Sequence, residues 1–405
     1  MKILQVNTFI NSRSTGRIAE DIGNLVIKQG WGSFYAFGRE PKSSNSEAIQ
    51  IGIKIDVLLH GFQSILLDDH GFGSKHATKV FIEKVKILKP DVIHLHNIHG
   101  YYLNIELLFN YLKESNTPVV WTLHDCWSFT GHCAYYSYID CGKWKTECNN
   151  CPQLSSYPRS IFKDKSKINF YSKMKLFNSL ENLTIVPVSN WLKKELEMSF
   201  LKNNKIEVIH NGVDLNVFRP SFKCEIFKDL NLTSKFVILG VANVWEKRKG
   251  LEDFMKLSKL LSNDEVIFLV GLNHKQLKGL PDNIIGISKT ENITELAEIY
   301  SNADVLFNPT WEDNFPTVNL ESLACGTPVV TYNTGGSIES VDAKTGFVIE
   351  QGDVSAAIER IREIKNTLSS IYQKNCREKA VQFYDKDVVF QDYIEMYNEL
   401  RKGIK

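Results

Sequence analysis

DVLFNPTWEDNFPTVNLESLACGTPVVTYNTGG, residues 304–336, contains two short apolar runs, DVLF and TPVVTY, rich in the residues that strands favour. Between them PTVNLESLACG reads as a helix, with Pro316 in its first turn and Gly326 just past its end, where proline and glycine belong. Strand, helix and strand in so short a span make a βαβ unit, and such units build parallel sheets.

The same alternation runs outward. FVILGVAN (236–243), LEDFMKLSKLL (251–261), with apolar residues at helical spacing, and VIFLVG (266–271) precede it. The first half has KILQVN (2–7), WGSFYAFG (31–38), PDVIHLHN (90–97), PVVWTLHD (118–125) and NLTIVPVSN (182–190) as strands. Helices are expected over Gly16–Lys28 and in SNWLKKELEMSF, which Ser189 and Asn190 cap. IHNGVDLNVFRP (209–220), with its Asn-Gly turn and Pro220, is the natural linker, with a hinge near residue 215. The expected fold is α/β: two doubly wound, Rossmann-like domains facing a central cleft, where strand ends and helix N-termini converge on ligands.

The 405 residues suit two such domains, and 43% hydrophobic with 23% charged residues is ordinary for a packed globular chain. No apolar stretch approaches the 18 residues of a membrane span. MKILQVNTFINSRSTG has no long apolar core of a signal peptide, so a cytoplasmic location is expected. The net charge of +1 conceals an asymmetry: residues 1–212 hold 25 Lys and Arg against 19 Asp and Glu, the remainder 23 against 28. Neither part is basic enough for a nucleic-acid binder. One stretch stands out, with Arg159, Lys163, Lys165, Lys167, Lys173 and Lys175 facing only Asp164. It reads either as a solvated helix face or as a patch for anionic phosphates such as lipid headgroups.

In the opening segment, Asp313 and Asn314 immediately precede the helix, where unpaired backbone N–H groups favour an anion. Glu321, inside the helix, can accept from vicinal sugar hydroxyls, and Gly335 and Gly336 allow close backbone approach to a ligand. Taken alone, these residues read first as a capped surface helix with incidental acids. Together with GVANVWEKRKG (240–250), however, the segment resembles the nucleotide-sugar site of retaining GT-B glycosyltransferases, specifically glycosyltransferase family 4 of the bacterial surface-polysaccharide type.

The resemblance implies a division of labour. Residues 1–212 would bind the acceptor and 213–385 the nucleotide-sugar donor, with a last helix over 386–403 packing back on the first domain. Lys249 matches the family lysine that holds the donor diphosphate. The family's accompanying arginine falls here on Asn243, leaving Arg248 as the neighbouring cation. The family's Glu-x7-Glu signature reads Asp313-x7-Glu321, the first acid facing the transferred sugar and the second the ribose. Asn314, Phe315 and Pro316 take places whose backbone groups meet the donor. His124, in WTLHD (121–125), matches the family's active-site histidine, although a lone histidine is more often a satisfied polar group. NSRSTGRIAE (11–20) matches the first glycine-rich loop, with Gly16 and Arg17 as acceptor or phosphate contacts. His94 and His96 share one strand face and suit packing as well as acceptor contact.

The implied reaction moves a sugar from a UDP- or GDP-sugar to a sugar or lipid-linked oligosaccharide with retention, by front-face transfer. Capsule, O-antigen or exopolysaccharide synthesis at the inner face of the plasma membrane would follow. Lys249, Arg248 and backbone N–H groups would stabilise the leaving phosphate, so no cofactor is required for catalysis. A sugar-nucleotide epimerase or phosphorylase on the same fold is the alternative enzyme reading.

Five of the eight cysteines crowd the segment 126–151, as Cys126-x6-Cys133-x7-Cys141-x6-Cys148-x2-Cys151. The closing CxxC is half of many zinc sites, and Cys133, Cys141, Cys148 and Cys151 could hold a structural zinc. Free thiols and disulfides are the other readings, disulfides being disfavoured in a reducing cytosol. On this view the chain could also be a non-enzymatic zinc-knuckle binding module.

Overall fold

A computed structural model describes residues 1–402. The chain forms two compact units, one of residues 1–210 with the segment from Phe390 onward, the other Asn211–Val389.

The first unit is a parallel sheet of β1 (Lys2–Phe9), β2 (Gly32–Arg39), β3 (Glu47–Gln50), β4 (Val92–Leu95), β5 (Val119–Leu123), β6 (Leu183–Pro187) and β7 (Lys205–Ile206), in the order 3-2-1-4-5-6-7. The second is a parallel sheet of β8 (Phe236–Val241), β9 (Glu265–Val270), β10 (Ile284–Ile287), β11 (Val305–Asn308), β12 (Val329–Tyr332) and β13 (Gly346–Ile349), in the order 10-9-8-11-12-13. Strands β4, β5, β9, β11 and β12 are buried along their whole length, which is why they read as mainly apolar runs. In each sheet the strand order reverses once, between β1 and β4 and between β8 and β11. Doubly wound folds bind ligands beyond the strand C-termini at that reversal.

Crossover helices cover the sheets through apolar stripes. In the second unit Phe254 and Leu257 from the helix Leu251–Ser258 pack with Ile238, Ile267, Phe307 and Val330. Ser189 caps the helix Asn190–Glu197 as expected, its side chain accepting the Leu192 N–H at 3.1 Å. The last helix differs from the sequence expectation. It is two helices, Lys386–Val389 and Gln391–Lys402, broken at Phe390, and Gly403 lies outside the described residues. The longer piece lies against the helix Arg13–Lys28 and β4. Its Tyr397 hydroxyl meets His94 Nδ1 at 2.6 Å and its Tyr393 hydroxyl meets Thr122 Oγ1 at 2.8 Å. The Asn-Gly of the linker is not a turn. Gly212 packs on Lys386, where a Cβ would stand 2.6 Å from its Cα, and Val213 bridges Asp385.

Candidate active site

In the second unit β11 lies between β8 and β12, so three loops leave the sheet side by side. They are bound to one another by backbone groups. The Trp311 N–H donates to Arg248 O at 2.7 Å, and the Gly336 N–H donates to Asp313 O at 3.2 Å. Arg248 Nη1 donates to Glu312 O at 3.2 Å. Two glycines permit this. Gly250 (φ +76°) and Gly335 (φ +49°) would carry a Cβ 2.1 Å from Pro309 O and 2.0 Å from Asp313 O. The sequence reading reserved Gly335 for ligand approach, but its closest neighbour is the chain itself.

Lys249 Nζ pairs with Asp313 Oδ2, joining the expected phosphate-binding cation to the expected sugar-facing acid. Burial pushes the Lys249 ammonium below its usual range, and the Asp313 charge only partly restores it. Asn314 and Phe315 are buried, and Phe315 O accepts from Asn211 Nδ2 at 3.0 Å. Pro316 stands one residue before the helix Thr317–Ala324 rather than in its first turn, and no side chain caps that helix. Pro316 O accepts the Asn319 N–H at 3.2 Å, and a helix start of this kind suits a phosphate. Glu321, 6% exposed, accepts from the Tyr300 hydroxyl at 3.0 Å. Tyr300 went unnoticed in the sequence, as did Trp311, whose Nε1–H donates to buried Asp253 at 2.7 Å and fixes the middle loop. Nothing in their spacing marks them.

In the first unit His124 follows β5. Its Nε2 lies 3.2 Å from His96 Nδ1 and the two rings stack at 5.5 Å. Burial pulls His124 down to about 4, so it is neutral at pH 7 and a poorer proton acceptor than a free imidazole. Asp125 also went unnoticed, although it adjoins His124. It accepts from His99 Nε2 at 2.7 Å and from the Trp127 N–H at 3.0 Å. Burial raises this carboxyl, but His99 and the two hydrogen bonds outweigh it and leave it below the usual range. His94 and His96 are fully occupied in packing: His94 bonds Tyr397 and Thr122, while His96 bonds Gln5 and His124. The helix of the first loop begins at Arg13, so Gly16 and Arg17 lie inside it. Gly16 sits so close to β1 that a Cβ would stand 2.9 Å from Phe9 O.

Residues 36–217 match the family described as Glycosyltransferase Family 4, and residues 222–383 match Glycosyl transferases group 1. The chain belongs to the family 4 glycosyltransferases of GT-B fold. A relative spanning 99% of this chain and 100% of its own length, at 21% identity, is a putative colanic acid biosynthesis glycosyl transferase of Escherichia coli. A capsular polysaccharide biosynthesis glycosyltransferase of Staphylococcus aureus is 27% identical over 54% of this chain and 62% of its own. Among solved structures, sucrose-phosphate synthase of Thermosynechococcus elongatus superposes at TM-score 0.73, with 17% identity and 99% of both chains covered. Anabaena HepE in complex with UDP-glucose follows at TM-score 0.69, 16% identity, and 98% of this chain and 100% of its own. At such identities the structures speak for the fold alone.

The glycosyltransferase does not carry the expected basic patch as one surface. Lys173 is wholly buried, donating to Trp127 O at 2.8 Å and Thr130 O at 3.2 Å, with its ammonium 3.4 Å from the Trp127 ring centroid. Lys165 pairs with Asp69 and Lys167 with Glu147. Arg159, Lys163 and Lys175 remain exposed. Counting charge along the chain missed the carbonyls and acids brought in from elsewhere. Cys133, Cys141, Cys148 and Cys151 all carry free thiols and line one small cavity. Among the described residues no three His, Cys, Asp or Glu side chains stand as a ready metal-holding group.

Proposed function

We propose that this glycosyltransferase takes a UDP- or GDP-sugar on its second unit and passes the sugar, with retention, to a sugar or lipid-linked saccharide acceptor held by the first. The observation that carries this is the uncapped helix Thr317–Ala324, with Lys249–Asp313 at its entrance and buried Glu321 within it. A nucleoside diphosphate offers phosphate oxygens to the helix N–H groups and the cations, and ribose hydroxyls to Glu321. As the anomeric bond breaks, charge builds on the leaving phosphate, and Lys249, Arg248 and the backbone N–H groups stabilise it. No cofactor is assigned to this step. Lys249, drawn to the arriving phosphates, releases Asp313 to meet the sugar. The leaving phosphate takes the acceptor proton, and neutral His124 serves the acceptor end.

The named relatives, of colanic acid and capsular polysaccharide biosynthesis, favour surface polysaccharide as the product. No described helix is long and apolar enough to cross a membrane. The helix Lys54–Leu67 instead turns Ile55, Leu58, Leu59 and Phe62, an i, i+3, i+4, i+7 stripe, toward solvent, with Leu58 71% exposed. Exposed Ile161 and Phe162 adjoin it, since the Ile161 N–H donates to Ile65 O at 2.8 Å. Lys54, Arg159 and Lys163 lie beside these apolar residues and complement anionic headgroups, supporting peripheral binding at the inner face of the plasma membrane.

Donor turnover with and without a lipid-linked saccharide tests the transfer reading, with the anomeric proton of the product read by NMR. Acceptor-dependent release of nucleoside diphosphate and an unchanged anomer support it. Equal turnover without acceptor points to an epimerase and overturns it.

A further inference from the structure

Between the end of β5 and the helix Ser166–Phe177 the chain runs some forty residues with only three short turns of 3-10 helix, Trp127–Phe129, Ser137–Ile139 and Lys143–Lys145. A compact domain rarely tolerates so long an irregular segment without something that fastens it. Its own core is small, a cluster of Phe129, Tyr136 and Trp144 rings at 4.9–6.2 Å. Beside that cluster lies a cavity of about 20 Å³, room for one ion, lined by Cys133, Cys141, Cys148 and Cys151 together with His132.

The side chains around it are arranged unlike idle thiols. Cys133 hydrogen-bonds Cys151 sulfur to sulfur. The Gly131 N–H donates to Cys148 Sγ at 3.2 Å, and Gly131 admits no side chain, since a Cβ would meet Ser166 O at 2.1 Å. Asn150, at φ +42°, folds the chain between Cys148 and Cys151. His132 is 2% exposed; its Nδ1 meets Asp68 Oδ1 at 2.5 Å and its Nε2 has no hydrogen-bond partner. A carboxylate on one ring nitrogen and an orphaned lone pair on the other is how histidines beside metal ions are oriented.

We propose that this cavity binds one zinc ion through Cys133, Cys141, Cys148 and Cys151, fastening the 124–165 segment as a structural site. His132 Nε2 stands beside them as the nitrogen that can substitute for one thiolate. Binding displaces the thiol protons and turns the sulfurs inward from their present positions, which are not yet those of a metal-holding group. Four thiolates close the coordination shell, so the site is structural and takes no part in transfer. The proposal does not depend on the identity of the donor or acceptor.

Elemental analysis of the full chain, reduced and purified without chelators, tests it. One zinc per chain is expected, falling at least tenfold in Cys148→Ser/Cys151→Ser and unchanged in Cys376→Ser. Should the double variant fail to fold, cobalt added to metal-free wild type decides, because tetrahedral thiolate coordination produces intense d–d and sulfur-to-metal charge-transfer bands. Absence of both stoichiometric zinc and these bands overturns the proposal, as does full zinc content in folded Cys148→Ser/Cys151→Ser.

Discussion

Glu321 and Lys249 are the residues on which the donor account turns. Glu321→Gln keeps the volume and an oxygen to accept from Tyr300, so the fold should hold while the charge is lost. Because hydrogen bonds to an ion are about twice as strong as neutral ones, donor affinity should fall about tenfold or more, measured by calorimetry with the melting temperature as control. Lys249→Ala removes the cation beside Asp313 and should lower turnover by about 10²–10³, read as kcat in a donor-release assay. Lys173 is the contrasting case. It belongs to a cationic run in the sequence, yet its ammonium is spent on two buried carbonyls. Lys173→Ala should therefore cost about 2–4 kcal/mol in denaturant unfolding, by leaving Trp127 O and Thr130 O unpaired and opening a cavity. The resemblance to the family's Glu-x7-Glu signature, not spacing alone, brought out the Asp313–Glu321 pair. It could not expose Asp253 beneath Trp311, or Tyr300 beside Glu321, since those contacts join residues 58 and 21 positions apart.

The elements that the sequence made legible are the buried ones. Strands β4, β5, β9, β11 and β12 announce themselves as apolar runs because both faces are covered. β3, reading EAIQ and largely exposed, and the two-residue β7 carry no such signal, and neither was anticipated. The break at Phe390 was hidden for a related reason: the apolar spacing of the last helix continues across it although the backbone does not. Among the loops, Gly250 joins the Lys249 loop to the β11 loop by lying against Pro309 O at positive φ. Gly250→Ala should push these loops apart, reducing donor affinity more than stability; calorimetry beside a melting curve separates the two.

Across the molecule, the alternation of strand and helix made the α/β class and two parallel sheets legible, whereas the half-sites needed the loops brought together. A consequence for the whole chain comes from its buried imidazoles. Burial lowers His60 and His124 to about 4 and His94 to about 3. The unfolded chain takes up protons near pH 6.5 and the folded chain does not until about 4, so protonation favours unfolding. The imidazole contribution to stability should be flat above pH 7 and fall as the pH drops from about 6.5 toward 4, by on the order of 1–2 kcal/mol per imidazole at pH 5, read from denaturant midpoints. The most direct measurement is a calorimetric titration of the full chain with UDP-, GDP- and ADP-sugars. The account predicts saturable one-to-one binding of at least one of them, weakened tenfold or more in Glu321→Gln. No binding by any of the three, or binding that Glu321→Gln and Lys249→Ala leave unchanged, would contradict it.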